Sequence, residues 1–274
     1  MSRPRSPFRT GTALALFDRR LAAAHKNRSL QKFPLVHGML RASGETVEGP
    51  RPCDWFDVFG DDEGSLVLVL LDVQTSAESP PAFLSGLMQS TKQDLQSHEP
   101  LHQVVCELEL QLALYPGVEA GLVILRVSQR DAKIELLNAG MPPVANASPG
   151  GRLDLYPSLS GPVGRRVGEV HPYELVPLLW GGTWLAVSDG MLNGSRDEAA
   201  VAALCAAVDL PARGLLLATA STEDLYDALQ AALTEKRFLR DDATGVLIAA
   251  DAAARFESGI VGAGAPLDPE RRTE

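Results

Sequence analysis

Cysteine is scarce in this chain, and its distribution excludes two common uses. Cys53, Cys106 and Cys205 show neither a CxxC pair nor a Cys/His spacing, so no zinc site and no disulfide framework is indicated. Cys106 and Cys205 fall in helix-like apolar patterns and read as small core residues in a reducing, cytoplasmic setting. Positive charge is also short: 25 Lys and Arg stand against 35 Asp and Glu, a formal net charge of -10. An acidic body of that kind argues against a nucleic-acid partner. No apolar run approaches the roughly eighteen residues that a membrane span needs, and the longest are of strand length. A soluble protein without a membrane contact is expected. There is no Walker or dinucleotide glycine loop, since 117–121 is too short and poorly placed, and no Gly-x-Ser-x-Gly elbow.

What the chain does contain is four aspartate-bearing segments in order. They are Cys53-Asp54-Trp55-Phe56-Asp57, Leu71-Asp72-Val73, Val187-Ser188-Asp189-Gly190 and Asp241-Asp242-Ala243-Thr244. Three of them adjoin strand-like apolar runs, so folding can gather the carboxylates at one rim of a sheet. Carboxylates brought together raise one another's pKa and call for a compensating cation. Hard divalent ions such as magnesium or manganese prefer all-oxygen sites. A metal-dependent hydrolase is the first reading.

Around these segments the patterning gives strands over 34–43, 65–73, 120–128, 132–138, 143–147, 152–156, 172–178, 183–188 and 245–250. The 172–178 strand is proline-rich and suits a sheet edge. Helices are predicted over 11–26, 81–97, 101–114, 196–208 and 221–235, with Pro80-Pro81 opening the second of these. Residues 60–64 read as a hairpin turn. Short turns between strands favour antiparallel sheets. The domain expectation is a basic tail with an N-terminal helix over 1–33, one folded domain over 34–250 and a tail over 251–274.

The order and spacing of the motifs resemble the metal-dependent protein phosphatase family (PPM), in the bacterial branch typified by SpoIIE and RsbU. Asp54-Trp55-Phe56-Asp57-Val58-Phe59 matches the branch's Gly-Asp-Trp-Tyr-Asp-Val-Phe, with Cys53 for the glycine. Asp72-Val73 survives from Gly-Asp-Val-x-Gly-His-Gly. Asn138-Ala139-Gly140-Met141-Pro142-Pro143 is similar to Asn-Ala-Gly-His-x-Pro. Leu185 to Gly190, and Asp241-Asp242-Ala243-Thr244 before Val246-Leu247-Ile248, match the last two elements. Gly161-Pro162-Val163-Gly164 sits where the branch has a Pro-Leu-Gly turn.

The resemblance implies an α+β fold, an α-β-β-α sandwich of two antiparallel sheets flanked by helices, with two Mn2+ or Mg2+ ions at one edge. It implies Asp72 as the bridging ligand with the Val73 carbonyl, Asp189 and Asp241 on the second metal, and Asp54 completing the cluster. Asp54 and Asp72 are thereby the catalytic candidates. Asp57 reads as a turn or hydrogen-bonding residue, and Asp242 as a supporting or solvent-facing acid. The implied activity is hydrolysis of a phosphoserine or phosphothreonine on a partner protein, in this branch commonly a STAS-type anti-sigma-factor antagonist. Helices 81–97 and 101–114 would then be the branch's switch, coupling partner binding or homodimer formation to metal-site assembly.

Each acid also has a plainer use, as an Asp-Gly turn at Asp189 or a solvated linker at Asp241. The chain departs from the pattern as well. Gln74-Thr75-Ser76-Ala77 replaces a loop with two glycines and a histidine, and Met141 replaces the other habitual histidine. None of His25, His37, His98, His102 and His171 falls at a motif position. A slowed phosphatase and a pseudophosphatase that binds a partner both fit these losses.

Overall fold

The computed structural model describes residues 34–47, 53–75, 81–166, 168–220 and 242–253, with 224, 227, 228 and 231 between the last two stretches. The expected helices over 11–26 and 221–235, the tails and Asp241 lie outside the described residues or largely so.

Among the described residues, eleven strands form two antiparallel sheets. In chain order they are β1 (Leu35–His37), β2 (Leu40–Val47), β3 (Asp54–Gly60), β4 (Leu66–Thr75), β5 (Val118–Ser128) and β6 (Lys133–Ala139). Then come β7 (Val144–Ala147), β8 (Leu153–Tyr156), β9 (Tyr173–Pro177), β10 (Thr183–Val187) and β11 (Ala243–Ala250). One sheet runs β1-β2-β11-β10-β7-β8 and the other β3-β4-β5-β6-β9. The proline-containing β9 stands at an edge of its sheet, as expected.

Alternation along the central strands explains the layering. Leu66, Leu68 and Leu70 of β4 pack between the sheets with Val246 and Ile248 of β11. Val67, Val69, Leu71 and Val73 face the other way. There they meet the helices α1 (Pro81–Gln96) and α2 (Leu101–Leu112), through Leu87, Leu95, Val104 and Leu108. On the opposite side, Leu185 and Val187 of β10 meet α3 (Glu198–Ala207) and α4 (Leu210–Thr219), through Val201, Leu204 and Leu217. Both faces of these central strands are covered, so β4 over Leu66–Leu71 and β11 over Val246–Ala250 read as continuous apolar runs. The result is an α-β-β-α sandwich of α+β class.

Three differences from the sequence reading have physical causes. Trp55–Phe59, absent from the strands that the patterning gives, forms most of β3, paired with β4 across the 60–64 turn. Helix α4 was not anticipated because Pro211 and Gly214 look like breakers. Pro211 falls in the first turn, where its missing N–H costs nothing. Cys106 is exposed, because Val104, Val105 and Leu108 take the inward face of α2. Cys205 is buried, and burial pushes its thiol up to about 12. Among the described residues no single helix is long and apolar enough to cross a membrane.

Candidate metal centre at the sheet rim

The 60–64 turn fixes the register of the β3–β4 hairpin, and that register sets Asp54 directly opposite Asp72. Directly opposed like charges destabilise an antiparallel pair. Here both residues are buried, at 2% and 3% exposure, so water cannot screen them. Burial first, and the Asp72 charge second, hold the Asp54 carboxyl well above the usual carboxylate range. Hydrogen bonds from Ser188 and Thr244 pull the other way. The Thr244 hydroxyl donates to Asp54 Oδ2 at 2.8 Å. Gln74 Nε2 donates to Asp72 Oδ2 at 3.3 Å.

The second sheet supplies the other acids. β10 and β11 pair so that Val187 lies opposite Gly245, which puts the end of one and the start of the other at the same rim. Asp242, just before β11, is buried, and its Oδ2 accepts from the backbone N–H groups of Cys53 at 2.8 Å and Asp54 at 3.0 Å. It ties the start of β3 to the start of β11, across the two sheets. Asp189 opens a single 3-10 turn, Asp189–Leu192, after β10. Gly190 is required there by space, since a Cβ would stand 1.8 Å from the Asp242 carbonyl oxygen.

Asp189 reaches the Asp54–Asp72 pair through a residue that sequence reasoning missed. The turn ends in left-handed Asn193 and Gly194, and the chain then returns Arg196 over the acids. Arg196 Nε donates to Asp189 Oδ2 at 2.8 Å, and Nη2 forms an ion pair with the same oxygen at 2.7 Å. Nη2 also lies 3.5 Å from Asp72 Oδ2, and Nη1 donates to the Gly140 carbonyl at 2.7 Å. Gly140 has φ +70, and a Cβ on it would meet Pro162 at 2.7 Å. The only sequence signal for Arg196 is a basic residue seven positions after the motif acid, in an Asn-Gly turn.

A second missed feature braces Gly140. Its N–H donates to Ser158 Oγ at 2.6 Å and to the Ser160 carbonyl at 3.1 Å. The Ser160 hydroxyl is 2.7 Å from His171 Nδ1, and His171 Nε2 is 3.2 Å from Glu109 Oε1 on α2. His171 and Glu109 are both buried, so this histidine is structural. Asp57 makes hydrogen bonds to the Val58 N–H and the Lys92 ammonium, in keeping with its expected role. Met141 is buried between the sheets.

Asp54, Asp72 and Asp189 are hard oxygen donors with no thiol or imidazole among them, a set suited to Mg2+ or Mn2+. Burial, and then the Asp72 charge, raise the Asp54 carboxyl, and a cation at this rim would offset the second of these. Among the described residues, however, no three His, Cys, Asp or Glu side chains stand together as a cage for an ion. Asp189 is turned onto Arg196, and Asp241 is outside the described residues.

The comparisons agree with this architecture. The family model described as Stage II sporulation protein E (SpoIIE) matches residues 62–251, and the chain belongs to that family. No curated protein is matched by sequence. Among solved structures, the RsbU and RsbW domains of a Mycobacterium tuberculosis protein superpose with TM-score 0.63 at 22% identity, covering 80% of this chain and 62% of that one. This chain therefore spans under two thirds of that relative. The PP2C phosphatase domain of SpoIIE from Bacillus subtilis, with a fragment of its regulatory domain, gives TM-score 0.59 at 15% identity, covering 77% and 62%. RsbX in complex with magnesium gives 0.55 at 14%, covering 76% and 94%. At these identities the structural likeness concerns the fold, which is the PP2C-type sandwich of the PPM family.

Proposed function

We propose that this chain is a metal-dependent protein phosphatase that hydrolyses a phosphoserine or phosphothreonine on a partner protein. The observation that carries the reading is the buried, directly opposed Asp54–Asp72 pair, with Asp189 brought to the same rim by the second sheet. Family membership supports it, and so does a magnesium complex of the similarly folded RsbX. Asp54, Asp72 with the Val73 carbonyl, Asp189 and Asp241 would hold two Mn2+ or Mg2+ ions. Bound ions would supply a water of lowered pKa and offset the charge that builds on the phosphoryl oxygens.

The chain's own residues do the positioning. Thr244 orients the Asp54 carboxyl, and Asp242 holds the backbone on which Asp54 stands. Gln74 steers one oxygen of Asp72. Ser76 stands where the branch has a histidine that could protonate a leaving serine oxygen, and the apolar, buried Met141 replaces the other histidine. General acid help is typically worth about 10²–10⁴-fold, so turnover is expected to be slow. The proposed substrate is a cytoplasmic phosphoprotein, with a STAS-type anti-sigma-factor antagonist as the first to try.

The test is turnover of such a phosphoprotein, and of p-nitrophenyl phosphate, by purified protein with Mn2+. Asp72→Asn and Asp189→Asn should each lower it by about 10²–10³-fold, the loss of several kcal/mol of transition-state stabilisation. Wild-type rates equal to those of both variants would end this reading. A second reading, a partner-binding pseudophosphatase, is favoured by one observation: Asp189 is engaged by Arg196. It predicts binding of the phosphoprotein without release of phosphate.

A further inference from the structure

We propose that Arg196 is the built-in cation of the acidic rim, holding Asp72 and Asp189 in the metal-free chain and competing with a divalent ion for them. The inference rests on the reading of these acids as a metal site and adds a residue that the family's motifs do not include. Three contacts define the position. The guanidinium places two nitrogens on Asp189 Oδ2, one of them also facing Asp72 Oδ2, and a third on the Gly140 carbonyl. A planar fork with separate donors can span two carboxylates and a carbonyl at once, which an ammonium cannot. The positive charge that two acids on different sheets require is thus supplied from within the chain.

The same contacts explain why Asp54, Asp72 and Asp189 do not stand together as a cage. Asp189 presents its Oδ2 to Arg196. Displacing the guanidinium frees that oxygen toward the Asp54–Asp72 pair. Nothing in the packing of the described residues forbids the exchange. Arg196 sits on the turn ahead of α3, outside the apolar clusters, and its side chain is about one-third exposed (32%). A rotamer change carries it into solvent without moving a strand. Apparent affinity for an ion falls by the fraction of molecules whose site is open, so a well-occupied Arg196 weakens metal binding in proportion.

A merely structural ion pair makes the opposite forecast, since its removal loosens the acids and weakens or leaves unchanged their hold on an ion. The experiment is Mn2+ binding to the full chain, followed by calorimetry and by the free-Mn2+ electron paramagnetic resonance signal at one pH. Arg196→Ala and Arg196→Gln should each bind Mn2+ about two- to fivefold more tightly than wild type, with Arg196→Lys in between. Asp72→Asn should bind least. Mn2+ should also raise the melting temperature of Arg196→Gln more than that of wild type.

Equal or weaker Mn2+ binding by both variants, with unchanged circular dichroism, overturns the proposal while leaving the metal reading intact. Absence of Mn2+ binding in wild type and variants alike overturns both. A measurement on the wild-type chain covers the case in which the variants do not fold. The Arg196 Nε–H resonance, held by Asp189, should shift or vanish when diamagnetic Mg2+ saturates the site. If it stays fixed while the Asp72 resonances move, the guanidinium does not yield and the competition is refuted.

Discussion

Two arginines meet carboxylates at opposite ends of the β3–β4 hairpin, and the contrast shows how one kind of contact serves two purposes. At the turn end, Arg126 of β5 is 3% exposed. It donates to Glu135, its cross-strand partner, at 3.1 Å and to the Glu99 carbonyl at 2.7 Å, with Asp61 at 3.7 Å. His98, in a left-handed conformation, adds a 2.6 Å contact to Asp61. Arg126 and the Asp61 carboxyl are shut in by a strand, a turn and a helix end, with Glu135 and His98 at the margin. At the other end Arg196 hangs from a turn, partly in water, over a pair of opposed aspartates. A guanidinium anchored in a sheet can only hold its partners. One carried by a turn can also release them.

The contrast breaks first at Arg126. Replacing it with methionine leaves Asp61 and Glu135 without their buried counter-charge, and breaking such a pair costs about 3–5 kcal/mol. Urea denaturation of Arg126→Met should show a loss of that size, with little change in Mn2+ affinity. A loss below about 1 kcal/mol would mean that water reaches this end of the sheet and that the two clusters are not different in kind.

How much of this arrangement was legible beforehand differs between the same two classes of residue. Asp54 and Asp72 become partners because the 60–64 turn sets the hairpin register, and that turn is visible as Gly60-Asp61-Asp62-Glu63-Gly64. The continuous apolar runs Leu66–Leu71 in β4 and Val246–Ala250 in β11 likewise announce strands buried on both faces. The four-layer order follows from helices 81–97 and 101–114 falling between the second and third motifs. Asp242 was half visible: its motif stands out, but the bonds it accepts from Cys53 and Asp54 span some 188 positions. Arg196 was not legible, because its place depends on two left-handed residues in one turn. The Glu109–His171–Ser160 chain was hidden for the same reason, since its members lie on a helix and a loop that only tertiary packing brings together.

A sharper test of the open end uses Asp54 and pH. Its carboxyl titrates higher in the folded chain than in the unfolded one, where the ordinary value is about 3.9. The folded state therefore binds the proton more tightly. The stability this confers is fully present below the unfolded value and is lost as pH rises through the folded one. Metal-free wild type should lose melting temperature as pH is raised from about 4 toward neutrality, more than Asp54→Asn does. Asparagine keeps an acceptor for Thr244 but carries no charge, so near pH 7 it should stabilise the chelator-treated protein by about 1–3 kcal/mol, the scale of one mismatched buried polar group. Identical pH profiles for the two proteins would mean that Asp54 is adequately compensated without a metal.

The smallest effect is the one that separates the two arginines most cleanly. Arg196 is partly solvated, and an ion pair of that kind contributes about 0–1 kcal/mol. Arg196→Ala should therefore lower the unfolding free energy of the chelator-treated chain by no more than about 1 kcal/mol in a urea titration. High salt should shrink the difference further, since screening weakens exposed pairs more than buried ones. The Arg126→Met loss should survive the same salt better, because the Arg126 and Asp61 side chains are shut away from the counterions. If instead Arg196→Ala costs as much as Arg126→Met and is equally indifferent to salt, Arg196 is a fixed part of the scaffold, and the turn that carries it has no freedom to give the acids up.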